Sequence, residues 1–379
     1  MTPESKKIGL QGLLEKKKVL ICCGSGGVGK TTTSAALALY ASSIGYKTIV
    51  LTIDPAKRLA NSLGIQKIDY QEKEIPKSEL KKAGVEPKAP LFAMMLDTKR
   101  TFDDLIVKYA PDEAKAEAIL QNKLYQHLSN MIAGSQEYMA MEKLYEVVQD
   151  RDYDLVVLDT PPSRHALDFL DAPNKMSAML GDSVMKWFLK PSLFVGKNSL
   201  QLLDRSVKRV FKAFDKIAGF EFLQDLSQML VSVSGLLEGF QERAQKVELL
   251  LHDKDTGFLL VAAPESIPLR EAEYFYRKIQ ENALPFSGFI FNRVQGVPKG
   301  PATPPTGLKA RTQSEYQEMV YLFKTLAHND EVEIANFQER MEFSKNGIVF
   351  KIMPQLDHDV HDLAGLYELG GKLFSEGPK

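Results

Sequence analysis

Short runs of continuous apolar residues recur along the chain, each closed by a turn-forming or charged residue. Lys18 to Cys23 (KVLICC) runs into a glycine cluster, Lys47 to Ile53 (KTIVLTI) into Asp54-Pro55, and Tyr153 to Leu158 (YDLVVL) into Asp159. Leu91 to Leu96, Gly257 to Ala263, Ser287 to Phe291 and Val349 to Met353 repeat the pattern. An apolar run without alternation reads as a strand covered on both faces, as in a parallel sheet under helices. The stretches between the runs have helical character, beginning with the Ala- and Leu-rich Thr31 to Ser43. The pattern therefore predicts an α/β fold: a doubly wound, mostly parallel sheet with helices on both faces.

Two stretches break this rhythm. Residues 111–149 and 175–251 read as helix after helix with no strand, and the second is rich in Met and Phe, from Met176 and Trp187 to Phe240. They are expected to form a helical subdomain inserted into a single domain spanning residues 1–379. Their apolar side chains suit either the core of that subdomain or a groove for an apolar helix, since Met-rich surfaces repack around varied partners. Val294 to Gly307 (VQGVPKGPATPPTG) reads as a mobile Pro/Gly loop.

Composition narrows the class. A chain of 379 residues with 44% hydrophobic and 26% charged residues can bury a large core, so disorder is not expected. The net charge of −1 argues against a nucleic-acid partner, which would need clustered cations. The two cysteines, Cys22 and Cys23, are adjacent and can build neither a disulfide framework nor a four-thiolate metal site. With a charged N-terminal stretch unlike a signal peptide, and no apolar run near the about 20 residues of a membrane span, they point to a cytoplasmic protein with no integral membrane segment.

Gly24-Ser25-Gly26-Gly27-Val28-Gly29-Lys30-Thr31 matches G-x-x-x-x-G-K-S/T in full, between a predicted strand and a predicted helix. The glycines allow successive backbone N–H groups to face phosphate oxygens, and the following helix adds its positive end. This is a phosphate-binding loop (P-loop). Lys30 is expected to reach the β- and γ-phosphates of ATP, or the β-phosphate of ADP, and the Thr31 hydroxyl to ligate Mg²⁺. Gly26, Gly27, Val28, Gly29 and Thr32 complete the nucleotide contacts. Asp159, ending an apolar strand, is the expected carboxylate behind the Mg²⁺ ligands, and Asp54 the group that orients the attacking water; of Thr31, Asp54 and Asp159, some meet the metal through water.

These residues resemble a known family. SGGVGKTTTSAALALYASSIGYKTIVLTIDPAKRLANSLG, DTPPSRHALDFLDAP and the FNRV and IMP segments are similar to the ATPases of the arsenite-pump and tail-anchored-protein targeting family, of the deviant Walker A class. The likeness runs from about Lys18 to Leu373 and is loose in the helical stretches. It implies that Asp54 lies in switch I, that Asp159 to His165 form switch II, that Asn292 reads adenine, and that Pro354, Gln355 and Leu356 close over the base. It also implies two nucleotides in a face-to-face dimer, of two identical chains or with a related ATPase chain, and a hydrophobic groove for a client helix.

The chain departs from that pattern in three ways. Ser25 stands where the family usually has a lysine that reaches the partner's phosphates; Lys57, Arg58 and Arg164 are candidate substitutes. The paired cysteines that hold zinc between subunits are absent, as are the thiolates an arsenite sensor needs, so arsenite transport is disfavoured. Competing functions are a positioning ATPase acting on DNA or another surface, and a small-molecule kinase. The tail LAGLYELGGKLFSEGPK has few cations and two adjacent glycines, unlike a basic membrane-binding helix. His358 and His361 would share a helix face, although the aspartates around them are better read as helix-start residues. Lys16-Lys17-Lys18 reads as a solvated edge.

Overall fold

The computed structural model describes residues 9–53, 58–65, 68, 70–122, 125–126, 135–161, 237–297, 303–304, 309–341 and 348–375. The seven apolar runs are all strands: β1 (Val19–Cys23), β2 (Thr48–Thr52), β4 (Leu91–Met95), β5 (Leu155–Asp159), β6 (Thr256–Ala262), β7 (Phe286–Val294) and β8 (Val349–Pro354). One more, β3 (Lys73–Glu74), is a two-residue antiparallel edge on β4, too short and too exposed to leave an apolar signature. The eight strands form one sheet in the order β3-β4-β2-β5-β1-β6-β7-β8. Every pairing except β3–β4 is parallel.

That order puts β1 at the centre, between β5 and β6. Neither is its neighbour in sequence, so the connections on its two sides diverge. In open α/β sheets, ligands bind at such a point, outside the carboxyl ends of the strands. β1, β2, β5 and β6 are buried throughout, which is why their sequences are aliphatic without alternation.

Helices α1 (Leu10–Leu14), α2 (Lys30–Ile44), α3 (Arg58–Ser62), α4 (Lys77–Lys82), α9 (Ser266–Glu281), α10 (Ala310–Met341) and α11 (Leu363–Phe374) belong with the sheet in one compact unit. α2 starts at Gly29 and stops at Gly45, both with positive φ. It is buried on nearly every side, which explains its Ala and Ser content and its lack of a polar face. α11 packs directly on it. Tyr40 stacks on Phe374 with ring centroids 4.4 Å apart, and a Cβ at Gly370 would come within 2.9 Å of the Ala36 carbonyl oxygen. The tail glycines thus include a close-approach position, and Leu363, Leu366, Leu369 and Leu373 are core residues. Lys17, expected in solvent, instead donates to the Thr256 carbonyl at 2.8 Å and ties β6 to the segment before β1.

The second compact unit spans residues 96–149 and 168–250. Its described helices are α5 (Thr98–Tyr109), α6 (Glu113–Gln121), α7 (Ser135–Asp150) and α8 (Leu237–His252). α5 and α6 begin at Asp97 and Asp112, whose carboxylates accept from the N–H groups of Arg100 and Lys115. Leu105, Ile106, Ile119, Tyr138, Met139 and Phe240 form this unit's core. Arg243 and Glu142 make a buried ion pair at 2.5 Å, with the guanidinium 4.1 Å from the Tyr145 ring centroid. Burial pushes the Glu142 carboxyl above its usual range, against the pull of Arg243. Of the Met- and Phe-rich stretch, Phe240 is buried; Met176 to Met229 lie outside the described residues, as does most of the Pro/Gly loop. Among the described residues, no helix is long and apolar enough to cross a membrane.

Candidate active site

The loop after β1 is shaped by two glycines that nothing larger can replace. Gly24 turns the chain away from β1 so tightly that a Cβ there would sit 2.1 Å from the Val261 carbonyl oxygen of β6. Gly29 has φ +92, and a Cβ on it would lie 2.3 Å from the Asn292 amide nitrogen. Between them, Gly26 and Gly27 are exposed at the loop tip, while the Val28 side chain is anchored in the sheet core. The loop is therefore fixed at its base and open at its crest, where successive N–H groups meet the start of α2.

Lys30 is buried, and its ammonium donates to the Ser25 carbonyl oxygen at 2.8 Å, folding back over the loop. Thr31 and Thr32, half-buried, begin α2. The Thr31 hydroxyl donates to Asp159 Oδ2 at 2.7 Å, across a sequence separation of 128 residues. The Thr52 hydroxyl donates to the same oxygen at 3.0 Å. Register explains the convergence. Asp159 ends β5 opposite Cys22 of β1 and opposite Thr52, the last residue of β2, so the carboxyl ends of these strands meet at one point. Thr52 was not singled out in the sequence, because one Thr in an aliphatic strand reads as β-propensity. The donors gathered at the loop are hydroxyl and carboxylate oxygens, which suit a hard cation such as Mg²⁺ that keeps its remaining positions for water and phosphate. Among the described residues there is no group of three or more His, Cys, Asp and Glu that would cage a metal by protein ligands alone.

Asn292, near the end of β7, is buried and donates to the Val28 carbonyl oxygen at 2.9 Å. Pro354 ends β8 opposite Val294, and the Gln355 N–H donates to the Val294 carbonyl at 2.8 Å. Pro354 and Gln355 are exposed; Leu356 packs against the sheet core. Asn292 and residues 354–356 thus lie on the same carboxyl edge of the sheet as the loop. Asp54, Lys57, the Arg58 side chain and residues 162–165 of the expected switch II lie outside the described residues. Ser25, at the position of the family's crossing lysine, is buried, and its hydroxyl has no hydrogen-bond partner among the described residues.

His358 and His361 precede α11 and share no helix face. Asp362 is the N-cap, accepting from the Gly365 N–H at 2.8 Å; His361 contacts the Asp359 carbonyl, and His358 lies 3.8 Å from Glu368. Cys22 and Cys23 are buried in β1, and desolvation pushes both thiols up to about 12.

Residues 17–328 match the family model described as anion-transporting ATPase. The chain belongs to this family. Among curated relatives, ATPase ASNA1 homolog 1 of Paramecium tetraurelia is 28% identical over 290 residues, covering 75% of this chain and 78% of that one. ATPase GET3A of Arabidopsis thaliana is 27% identical over 316 residues, 83% and 78% of the two chains. ATPase GET3 of Malassezia globosa is 24% identical over 324 residues, 83% and 85%. As a member of this ATPase family the chain binds and hydrolyses ATP, and the eight-stranded, mostly parallel sheet is the P-loop architecture that its sequence pattern predicts.

Proposed function

We propose that this ATPase is a magnesium-dependent, dimeric switch whose nucleotide turnover opens and closes a binding surface for an apolar client helix. The observation that carries the reading is the convergence of Thr31, Thr52 and Asp159 beside a complete phosphate loop. Lys30 and the N–H groups of residues 26–32 hold the phosphates. Thr31, with Asp159 hydrogen-bonded to it, would hold Mg²⁺, and Asp54 would act on the metal site through water. When bound, the metal neutralises charge developing on the β- and γ-oxygens. Asp54 orients the water that attacks the γ-phosphorus, and the leaving ADP carries the electron pair of the cleaved bond. Asn292 reads the adenine, and Pro354, Gln355 and Leu356 close over it. One phosphate loop per chain supports pairing of two chains, with each other or with a related ATPase.

The experiment is phosphate release from Mg-ATP with no acceptor present. Steady release is expected, because a switch needs only water as nucleophile. Silence until a metabolite is added would overturn the switch in favour of a kinase. For the client, capture of hydrophobic helices should differ between ATP and ADP, and capture indifferent to nucleotide would remove that part of the reading.

Arsenite transport is disfavoured on the chemistry of Cys22 and Cys23. Soft-metal binding needs thiolates, and these thiols are buried and held protonated. Native protein at pH 8 should not react with a disulfide reagent, and both thiols should react once it is unfolded. The stabilising contribution of the two neutral thiols is present below about pH 9, the ordinary thiol pKa, and fades as pH rises toward about 12. Rapid native reaction at pH 8 would reopen the arsenite question.

A further inference from the structure

We propose that the Asn292 amide is a positioning group for the phosphate loop itself, holding the Val28–Gly29 peptide so that the Gly29 N–H stays aimed for phosphate. This rests on the reading that the loop binds the nucleotide's phosphates, and it adds a role that does not involve the base. The first observation is the hydrogen bond from Asn292 Nδ2 to the Val28 carbonyl oxygen, 2.9 Å, with both residues buried. A carbonyl only accepts, so the amide nitrogen must face it. The peptide unit is planar and trans, so its C=O and N–H point in opposite directions. Fixing the Val28 oxygen therefore fixes the Gly29 N–H as well.

The loop and the strand are built for this contact. At Gly29 even a methyl group would sit 2.3 Å from Nδ2, so the absence of a side chain there lets Asn292 reach the backbone. On the other side, the β7–β8 register breaks between Phe291 and Val294, and Arg293 adopts φ +61. A non-glycine residue in that region is strained, and such bulges re-aim a neighbouring side chain. The chain beyond the bulge is pinned by the Gln355 N–H on the Val294 carbonyl and by the Gln295 N–H on the Asp330 carboxylate, each 2.8 Å. A strained residue beside Asn292, followed at once by two anchors, is what an imposed side-chain direction requires. A residue needed only to touch a base at the rim would be free of a buried contact to the loop.

A ligand with phosphates and no base separates the two roles. Mg-tripolyphosphate and Mg-ATP are titrated calorimetrically into wild-type protein and into Asn292→Ala, with amide hydrogen exchange of the loop followed in both. The expected result is a loss of about tenfold in tripolyphosphate affinity, the worth of one buried hydrogen bond, with faster exchange at Gly29. Asn292→Asp, which keeps the shape and loses the donor, serves if the alanine variant does not fold, and should lose at least as much. Unchanged tripolyphosphate affinity with weakened ATP affinity would overturn the positioning role and leave Asn292 a base reader. Wild-type protein that binds neither ligand would instead overturn the phosphate-loop reading on which the proposal stands.

Discussion

Lys30→Ala should lower ATP turnover by two to three orders of magnitude without lowering the protein's stability. Phosphoryl transfer leaves little covalent work for a protein, so most of the rate comes from positioning and charge. Removing one preorganised donor aimed at developing charge typically costs about 10²–10³ in rate. The Lys30 ammonium is buried and donates to the Ser25 carbonyl at 2.8 Å. Removing a buried ammonium removes its desolvation cost together with its hydrogen bonds, so folding stability should change little. Arginine should not rescue, because its wider, planar head does not fit where a compact ammonium folds over the loop. Steady-state phosphate release together with thermal unfolding checks both halves. A variant that keeps a tenth or more of the wild-type rate would contradict the role given to Lys30.

Gly24→Ala should have the opposite signature, a loss of folding stability of about 2–4 kcal/mol that precedes any effect on chemistry. Its Cβ would meet the Val261 carbonyl oxygen at 2.1 Å and the carbonyl carbon at 3.1 Å. Both are backbone atoms of the strand paired to β1, so no side chain can swing aside. Either β1 and β6 move apart or the loop leaves its track. The urea midpoint should fall, with turnover per folded molecule falling as well because the loop is displaced. An unchanged midpoint would mean that the strand-to-loop turn is less constrained than its geometry requires.

The two variants divide what the sequence makes legible from what it does not. The sheet was readable because strands buried on both faces must be continuously apolar, and β1, β2, β5 and β6 are. The loop was readable because its spacing and flanking elements are jointly specific. α2 is legible from its Ala- and Leu-rich composition after the phosphate loop; buried on nearly all sides, it offers no polar face to give a period. β3 escaped because two exposed residues carry no pattern. The two adjacent glycines near the C-terminus show a reason only in packing, with Gly370 against α2, a contact between distant segments that local propensity cannot encode.

The site divides the same way. Lys30, Thr31 and Asp159 could be named from motif and strand end. Thr52 could not, because only the register of β2 against β5 brings its hydroxyl to Asp159. Asn292 was named for a base, but its bond to Val28 spans 264 residues of sequence and depends on a bulge that nothing in FNRV announces. Ser25, noted as the missing crossing lysine, proves buried, so this position offers no cation to a partner's nucleotide.

The central claim is that the loop from Gly24 to Thr31, backed by Asp159, grips the terminal phosphates of a magnesium-bound adenine nucleotide. The most direct measurement is calorimetric titration of ATP into the purified protein with and without magnesium, repeated on Asp159→Asn. The account predicts saturable binding that strengthens with magnesium in the wild type, and little magnesium dependence in the variant. The same magnesium dependence in both proteins, or no binding in either, would contradict it.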